Sequence, residues 1–273
     1  MSYAPPYDRE VCFRPYISFG KNETPVSMSY SKFISTKNLF KPSYKVYGKY
    51  VVRSMRKAIK VSVPKDLKAY VENAEKACVD YLKEIGRDDL AEIRAGFPKF
   101  KKEQEKKGSV WLFSDRIDNA GDSGEVVFKY ISEHTPNGVR PIFTIGRAAS
   151  DEVKNRLEAI GEVVYFEDTE FKYYFLLADK IVSSSAGEFT INAFEDDRPY
   201  FVDMYHFDFY FMNHGVNCGD CSVWLNHYNK NIKIFFNTGV NERQAIIDGR
   251  YNMTADQCVI TTHRSFGNLP LAF

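Results

Sequence analysis

From Gly108 to its end the chain alternates short apolar runs with helical stretches, and no other feature of the sequence limits the fold as strongly. Val110 to Phe113, Arg140 to Ile145, Val163 to Phe166, Lys180 to Val182, Phe207 to Met212, Lys233 to Phe236 and Gln257 to Ile260 read as strands. Between them, Gly124 to Glu133, Asp151 to Ile160, Glu170 to Leu177 and Asn241 to Asp248 read as helices. Strands separated by helices imply right-handed crossovers and a parallel sheet, so the expected class is α/β, a Rossmann-like doubly wound domain.

The residues before Gly108 follow another pattern. Val11 to Ser18 reads as a strand. After Pro42, Tyr44, Tyr47, Val51, Met55 and Ile59 fall near one helical face, with Lys45, Lys49, Arg53, Arg56 and Lys60 on another. This spacing predicts a basic amphipathic helix, weakened at Gly48. Such a helix suits an anionic membrane surface or a polyanionic substrate, although a plain surface helix explains the pattern equally well. Pro64 opens a further helix bearing Leu67, Tyr70, Val71, Ala74, Cys78 and Leu82, which Gly86 ends. A short helix over Asp89 to Ala95 follows, and the charged run Lys99 to Lys107 reads as a boundary. Two regions result: a basic, mainly helical region over 1–107 and a Rossmann-like lobe over 108–273.

A formal net charge of +1 on 273 residues gives no global signal for nucleic acid. Five scattered cysteines do not make a disulfide framework, which favours a reducing compartment. Pro5 and Pro6 interrupt any apolar run at the start, and no stretch approaches the roughly 20 apolar residues of a spanning helix. The expected location is cytoplasmic, with a peripheral position on the inner membrane face allowed.

Chemistry is expected at the C-terminal ends of the strands, where open α/β sheets bind ligands. The strand ending at Met212 runs into Asn213, His214 and Gly215, which puts an imidazole at the sheet edge with the proton affinity of a general base. A lone histidine there is more often a hydrogen-bonded cap, so its neighbours must decide. After the first strand, Ser114 to Glu125 forms a polar loop with Gly121 and Gly124, and Asp122 and Ser123 stand where they can cap a helix. Amides at such a loop welcome anions. The loop lacks the three-glycine dinucleotide fingerprint and the Gly-Lys-Ser/Thr of a phosphate-binding loop. Cys218-Gly219-Asp220-Cys221, flanked by His214 and His227, has the spacing of a zinc site or a redox pair. No second such pair exists, so free thiols are expected, with neither metal nor cofactor. His134, His206 and His263 have no partner pattern and are expected to be structural.

Two of these stretches together resemble one known family. Trp111 to Arg116, with Gly121 to Glu125 and Phe128-Lys129-Tyr130, is similar to the opening of the glycosyltransferase-like half of the CDP-glycerol glycerophosphotransferases, the teichoic acid and capsule polymerases. Phe211 to Val216, with Asp220, Ser222 and Trp224-Leu225-Asn226, is similar to that family's Gln-His-Gly block, and Thr238 with Glu242 is a looser third match. Ser123 stands where the family usually has Asn, and Asn213 where it has Gln. Thr262 and Gly267 fall in a fainter C-terminal match.

The resemblance implies one lobe of a two-lobed GT-B enzyme. That enzyme would transfer glycerol phosphate or a related polyol phosphate from a CDP-polyol donor to a lipid-linked polyol-phosphate acceptor, releasing CMP. By the same analogy His214 is the general base. Arg116, Asp122, Ser123, Gly124, Asn213, Gly215, Asp220 and Ser222 are candidate substrate-binding residues. A second, donor-binding lobe would follow the first, so this reading expects the chain to be part of a longer enzyme and weakly active alone. Two other readings stay open: a non-catalytic Rossmann module that binds a polyanion or another subunit, and a nucleotide-sugar glycosyltransferase lobe. Self-association into a homo-oligomer is compatible with each.

Overall fold

The computed structural model describes residues 9–25, 42–55, 58–213, 215 and 219–261. The chain divides into two compact units, residues 1–99 with 196–205, and residues 100–195 with 206–273.

Among the described residues the first unit has six strands: β1 (Glu10–Phe13), β2 (Tyr16–Phe19), β3 (Asn22–Pro25), β4 (Lys45–Tyr47), β5 (Tyr50–Met55) and β6 (Ala58–Ser62). β2 and β3 pair as a hairpin, while the others form an antiparallel sheet in the order β1-β6-β5-β4. The strand expected over Val11 to Ser18 is thus broken at Arg14-Pro15. The basic amphipathic helix expected after Pro42 does not form. Its weak point, Gly48, has φ +58° in the two-residue turn Gly48-Lys49, the backbone that primed hairpin turns demand. Val46, Val51 and Val52 favour extended chain. The positive charges are dispersed accordingly: the Lys45 ammonium donates to the Tyr205 carbonyl, Lys60 pairs with Glu10, and Lys49 and Arg53 lie over the rings of Tyr50 and Tyr70. Arg56 and Lys57 lie outside the described residues.

α1 (Leu67–Glu84) starts where Asp66 accepts the Ala69 amide, and it buries Ala74, Cys78 and Leu82 on one face. α2 (Asp88–Gln104) continues through Pro98 well beyond the short helix expected there, taking up most of the charged run. Its buried face is Leu90, Ala91, Ile93, Arg94 and Phe97. Arg94 is 1% exposed. Its guanidinium donates to both oxygens of Asp203 (2.7 and 3.1 Å), to the Tyr200 carbonyl (2.6 Å) and to both oxygens of Glu75, which also accepts the Tyr44 hydroxyl.

Cys78, wholly buried on α1, has its thiol pushed up to about 12 by burial. A raised folded value means that the native state holds this proton where the unfolded chain has released it. The stabilisation is therefore full below about pH 8.5 and declines as pH rises from there. Denaturant midpoints measured up that pH range should fall less steeply in Cys78→Ala than in the wild type, and equal slopes would contradict this account.

The second unit is built on one parallel sheet. Its elements are β7 (Ser109–Ser114), α3 (Ser123–Glu133), β8 (Val139–Ile145), α4 (Asp151–Ile160), β9 (Glu162–Tyr165), α5 (Thr169–Leu177), β10 (Lys180–Ser183), α6 (Glu188–Ile191), β11 (Asp208–Met212), α7 (His227–Lys230), β12 (Ile232–Asn237), α8 (Val240–Asp248) and β13 (Cys258–Ile260). Each strand expected from the sequence is present. The seven run in the order β13-β12-β11-β10-β7-β8-β9, all pairs parallel. This is the Rossmann-like doubly wound arrangement. On one face Trp111, Phe113, Phe143, Ile145, Val182 and Met212 pack with Phe128 and Ile131 of α3 and Leu157 of α4. Each such side chain contributes roughly 1.5–3 kcal/mol by leaving water. Among the described residues no helix is long and apolar enough to cross a membrane.

Candidate active site

β7 and β10 are neighbours, yet the chain leaves β7 toward β8 and β9 and leaves β10 toward β11, β12 and β13. This divergence is the topological switch point, beside which open α/β sheets bind their ligands. Ser114 and Ser183 sit there in register and are joined through their hydroxyls at 2.9 Å. Sequence reasoning does not single out Ser183-Ser184-Ser185, although this run directly follows an apolar strand.

Asp115, the first residue beyond β7, is wholly buried. Its carboxylate accepts the amides of Gly124 (2.7 Å), Asp122 (3.0 Å), Glu125 (3.1 Å) and Gly121 (3.3 Å). Burial pushes its carboxyl up, while the Ser184 hydroxyl and the Glu125, Gly124 and Asp122 amides pull it back. The amides expected to greet an external anion therefore already hold an internal one. Gly124 is required by this closeness, because a Cβ would run into the Ser114 carbonyl and the Asp115 carboxylate. Gly121 supplies φ +121° in the same loop. Arg116 is exposed and its Nε lies 3.4 Å from Asp122. Ser123 begins α3.

At the end of β11, Asn213 donates through Nδ2 to Glu242 Oε1 at 3.3 Å. The other oxygen of Glu242 accepts the Thr238 amide (2.6 Å) and hydroxyl (2.8 Å). The ends of β11 and β12 are thus tied together by a buried carboxylate on the first turn of α8. Asn237, the last residue of β12, is also fully buried, and among the described residues neither Nδ2 nor Oδ1 has a hydrogen-bond partner. His214, Val216, Asn217 and Cys218 lie outside the described residues; Gly215 has open space where a Cβ would stand.

Asp220 accepts the Ser222 amide at 2.9 Å and lies 3.2 Å from an Arg250 nitrogen; the Ser222 hydroxyl, its amide and the Arg250 guanidinium hold its carboxyl below the usual range. Buried Ser222 accepts the Asn226 side chain on its carbonyl, so Asp220 and Ser222 secure the turn leading into α7. No hydrogen bond joins this turn to Asp122, Ser123 or Gly124 among the described residues. The candidates thus form three local groups on the second unit: Arg116 to Glu125 around Asp115, Asn213 with Thr238 and Glu242, and Asp220 with Ser222. His227 lies with Nδ1 2.6 Å from the Ile232 carbonyl, and His134 with Nδ1 3.0 Å from the Tyr130 carbonyl, both structural roles. His263 lies outside the described residues. Among the described residues no three His, Cys, Asp or Glu side chains converge as a metal site.

No family model matches the chain. It is 34% identical over 160 residues to the minor teichoic acid biosynthesis protein GgaB of Bacillus subtilis (strain 168), an alignment covering 59% of this chain and 17% of that protein. Among solved structures it is similar to the wall teichoic acid polymerase TagF at 12% identity and a TM-score of 0.45, covering 72% of this chain and 48% of that one. A TagF variant soaked with CDPG for 15 minutes gives 13% identity, a TM-score of 0.44, and coverage of 71% and 49%. The likeness to GgaB bears out the family resemblance drawn from the sequence, over a chain that spans about a sixth of that relative's length.

Proposed function

We infer from this kinship that the chain belongs to the machinery of teichoic-acid-type polymer synthesis, as the acceptor-side lobe of a polyol-phosphate transferase. One observation carries the reading furthest. Each of the three stretches that resemble the family reaches the sheet at the carboxyl end of a strand, β7, β11 or β12, the edge at which such sheets bind ligands.

In this reading the donor is a CDP-activated polyol such as CDP-glycerol, and a hydroxyl of a lipid-linked acceptor attacks its β-phosphate. His214, next to Asn213, takes the proton of that hydroxyl. Asn213, held by Glu242, anchors the end of β11 immediately before His214. Arg116, on the exposed side of the Asp115 loop, is the cation available to phosphate oxygens. Asp122, Ser123 and Gly124 act by building that loop, since their neighbourhood is saturated by Asp115. Membrane association enters through the lipid of the acceptor, not through the dispersed basic strands.

Transfer from CDP-glycerol to a lipid-linked acceptor analogue, measured in the full reading frame that carries this chain, tests the proposal. His214→Ala should lower turnover by about 10²–10⁴-fold with the fold intact. Unchanged turnover would support a non-catalytic module instead. Transfer from UDP-linked sugars in preference to CDP-linked polyols would replace it with a glycosyltransferase.

A further inference from the structure

We propose that the hairpin β2–β3 of the first unit is a lipid-contacting element. Its tip places Phe19 and Ile17 among the acyl chains of an anionic bilayer and Lys21 among the headgroups. The proposal goes beyond the transfer reaction and does not depend on it.

The argument begins with exposure. Phe19 is 87% exposed, Ile17 64% and Tyr16 50%, three open apolar side chains within four residues. Every residue of β2 is exposed, and among the described residues β2 and β3 pair only with each other. A lone two-stranded hairpin is at best marginally stable in water, so this one gains from a surface that covers it. The register tells which side is covered. Antiparallel partners share a face, which groups Ile17 and Phe19 with Thr24 and Asn22, and Tyr16 and Ser18 with Pro25 and Glu23. The Ile17 and Phe19 face thus carries no charge, and the hairpin's carboxylate lies on the opposite one. Gly20, at φ +61°, makes the two-residue turn with Lys21 and leaves Phe19 beside the tip.

Chemistry selects the partner. Lys21 at the tip and Arg14 just before β2 are both exposed, and among the described residues neither is paired with a carboxylate. Open apolar side chains beside such cations match an anionic bilayer, which takes the rings below its headgroups and the charges at its surface. A polyol-phosphate chain would meet Lys21 and Arg14 but leave Phe19 and Ile17 in water. A strand added along the open edge of β2 would satisfy the backbone and leave the Phe19 face uncovered. The acceptor's lipid brings the substrate to the membrane; the hairpin brings the protein to the same surface, without the dispersed cations of β4, β5 and β6.

Sedimentation of the full chain with vesicles of equal parts phosphatidylglycerol and phosphatidylcholine, free of donor and acceptor, tests this. The wild type should bind, and Ile17→Ser combined with Phe19→Ser should bind at least about tenfold more weakly, because two large apolar side chains no longer leave water. Lys21→Glu should weaken binding to these vesicles and leave binding to pure phosphatidylcholine unchanged, a difference that fades at high salt. Phe19→Trp keeps the apolar tip and reports its depth. Brominated acyl chains should quench its fluorescence beyond any quenching of the two native tryptophans. Absence of vesicle binding, or binding that ignores the serine pair, overturns the lipid contact and leaves the transfer reading to its own turnover assay. Binding to a soluble glycerol phosphate polymer without binding to vesicles also overturns it, as does a serine pair that abolishes self-association in place of vesicle binding.

Discussion

Replacing Arg94 by alanine should destabilise the first unit by about 3–5 kcal/mol, the range for removing one partner from a buried charge network. Arg94 is the central cation of that network. It neutralises Asp203, which is buried with it, and Glu75, and it is the donor to the Tyr200 carbonyl. Without it, two carboxylates face each other's field in a space that holds little water. The residues it joins are distant in sequence: Glu75 on α1, Arg94 on α2, and the segment 196–205 that lies between β10 and β11 along the chain. Urea denaturation followed by circular dichroism measures the loss. Arg94→Met combined with Asp203→Leu should recover part of it, since removing both charges leaves nothing uncompensated on that side. An alanine variant within about 0.5 kcal/mol of wild type, the range of an ordinary surface change, would show that the cluster carries no such weight.

The same residue marks where sequence reasoning stops. In the second unit, apolar runs such as Val110 to Phe113 are buried on both faces, so hydrophobic pattern and strand coincide within a residue or two. In the first unit the apolar residues after Pro42 have a spacing that suits a helix and a strand about equally well. One backbone condition at Gly48 decided for hairpins, and composition does not reveal it. Nothing in the sequence sets Arg94 apart from other cations on a short helix, because two of the groups that hold it, Tyr200 and Asp203, come from more than 100 residues away along the chain. The candidate site divides similarly. Gly124 and the position at which α3 starts were legible, but the cap expected from Asp122 and Ser123 was not made: Asp122 has no side-chain cap bond, and Asp115 accepts the amides instead. That Asp115 would consume the amides of the loop was not legible, because an aspartate after a strand is equally at home in solvent. Glu242 was visible only as a loose partner of Thr238, and its link to Asn213 needed the adjacency of β11 and β12.

Asp115→Ala carries the second large effect, and it changes what this helix end can bind. Removing a wholly buried carboxylate that accepts four amides should cost about 3 kcal/mol, chiefly through the Gly124 amide, which loses its partner away from water. The vacated cradle then has the character that the wild type denies it, a set of amides at the start of a helix with no anion among them. Inorganic phosphate should therefore stabilise the variant, by about 2.7 kcal/mol at a concentration 100 times its dissociation constant, and leave the wild type unmoved. The pH dependence has a definite sign as well. Burial raises the Asp115 carboxyl, so the native state holds its proton more tightly than the unfolded chain does. Stability from this site falls as pH climbs from the ordinary carboxylate value toward the raised one, and that decline should vanish in the alanine variant. Thermal unfolding of both proteins across a phosphate series reads the two effects together. If the variant were as stable as the wild type and indifferent to phosphate, Asp115 would not be the internal anion that closes this helix end.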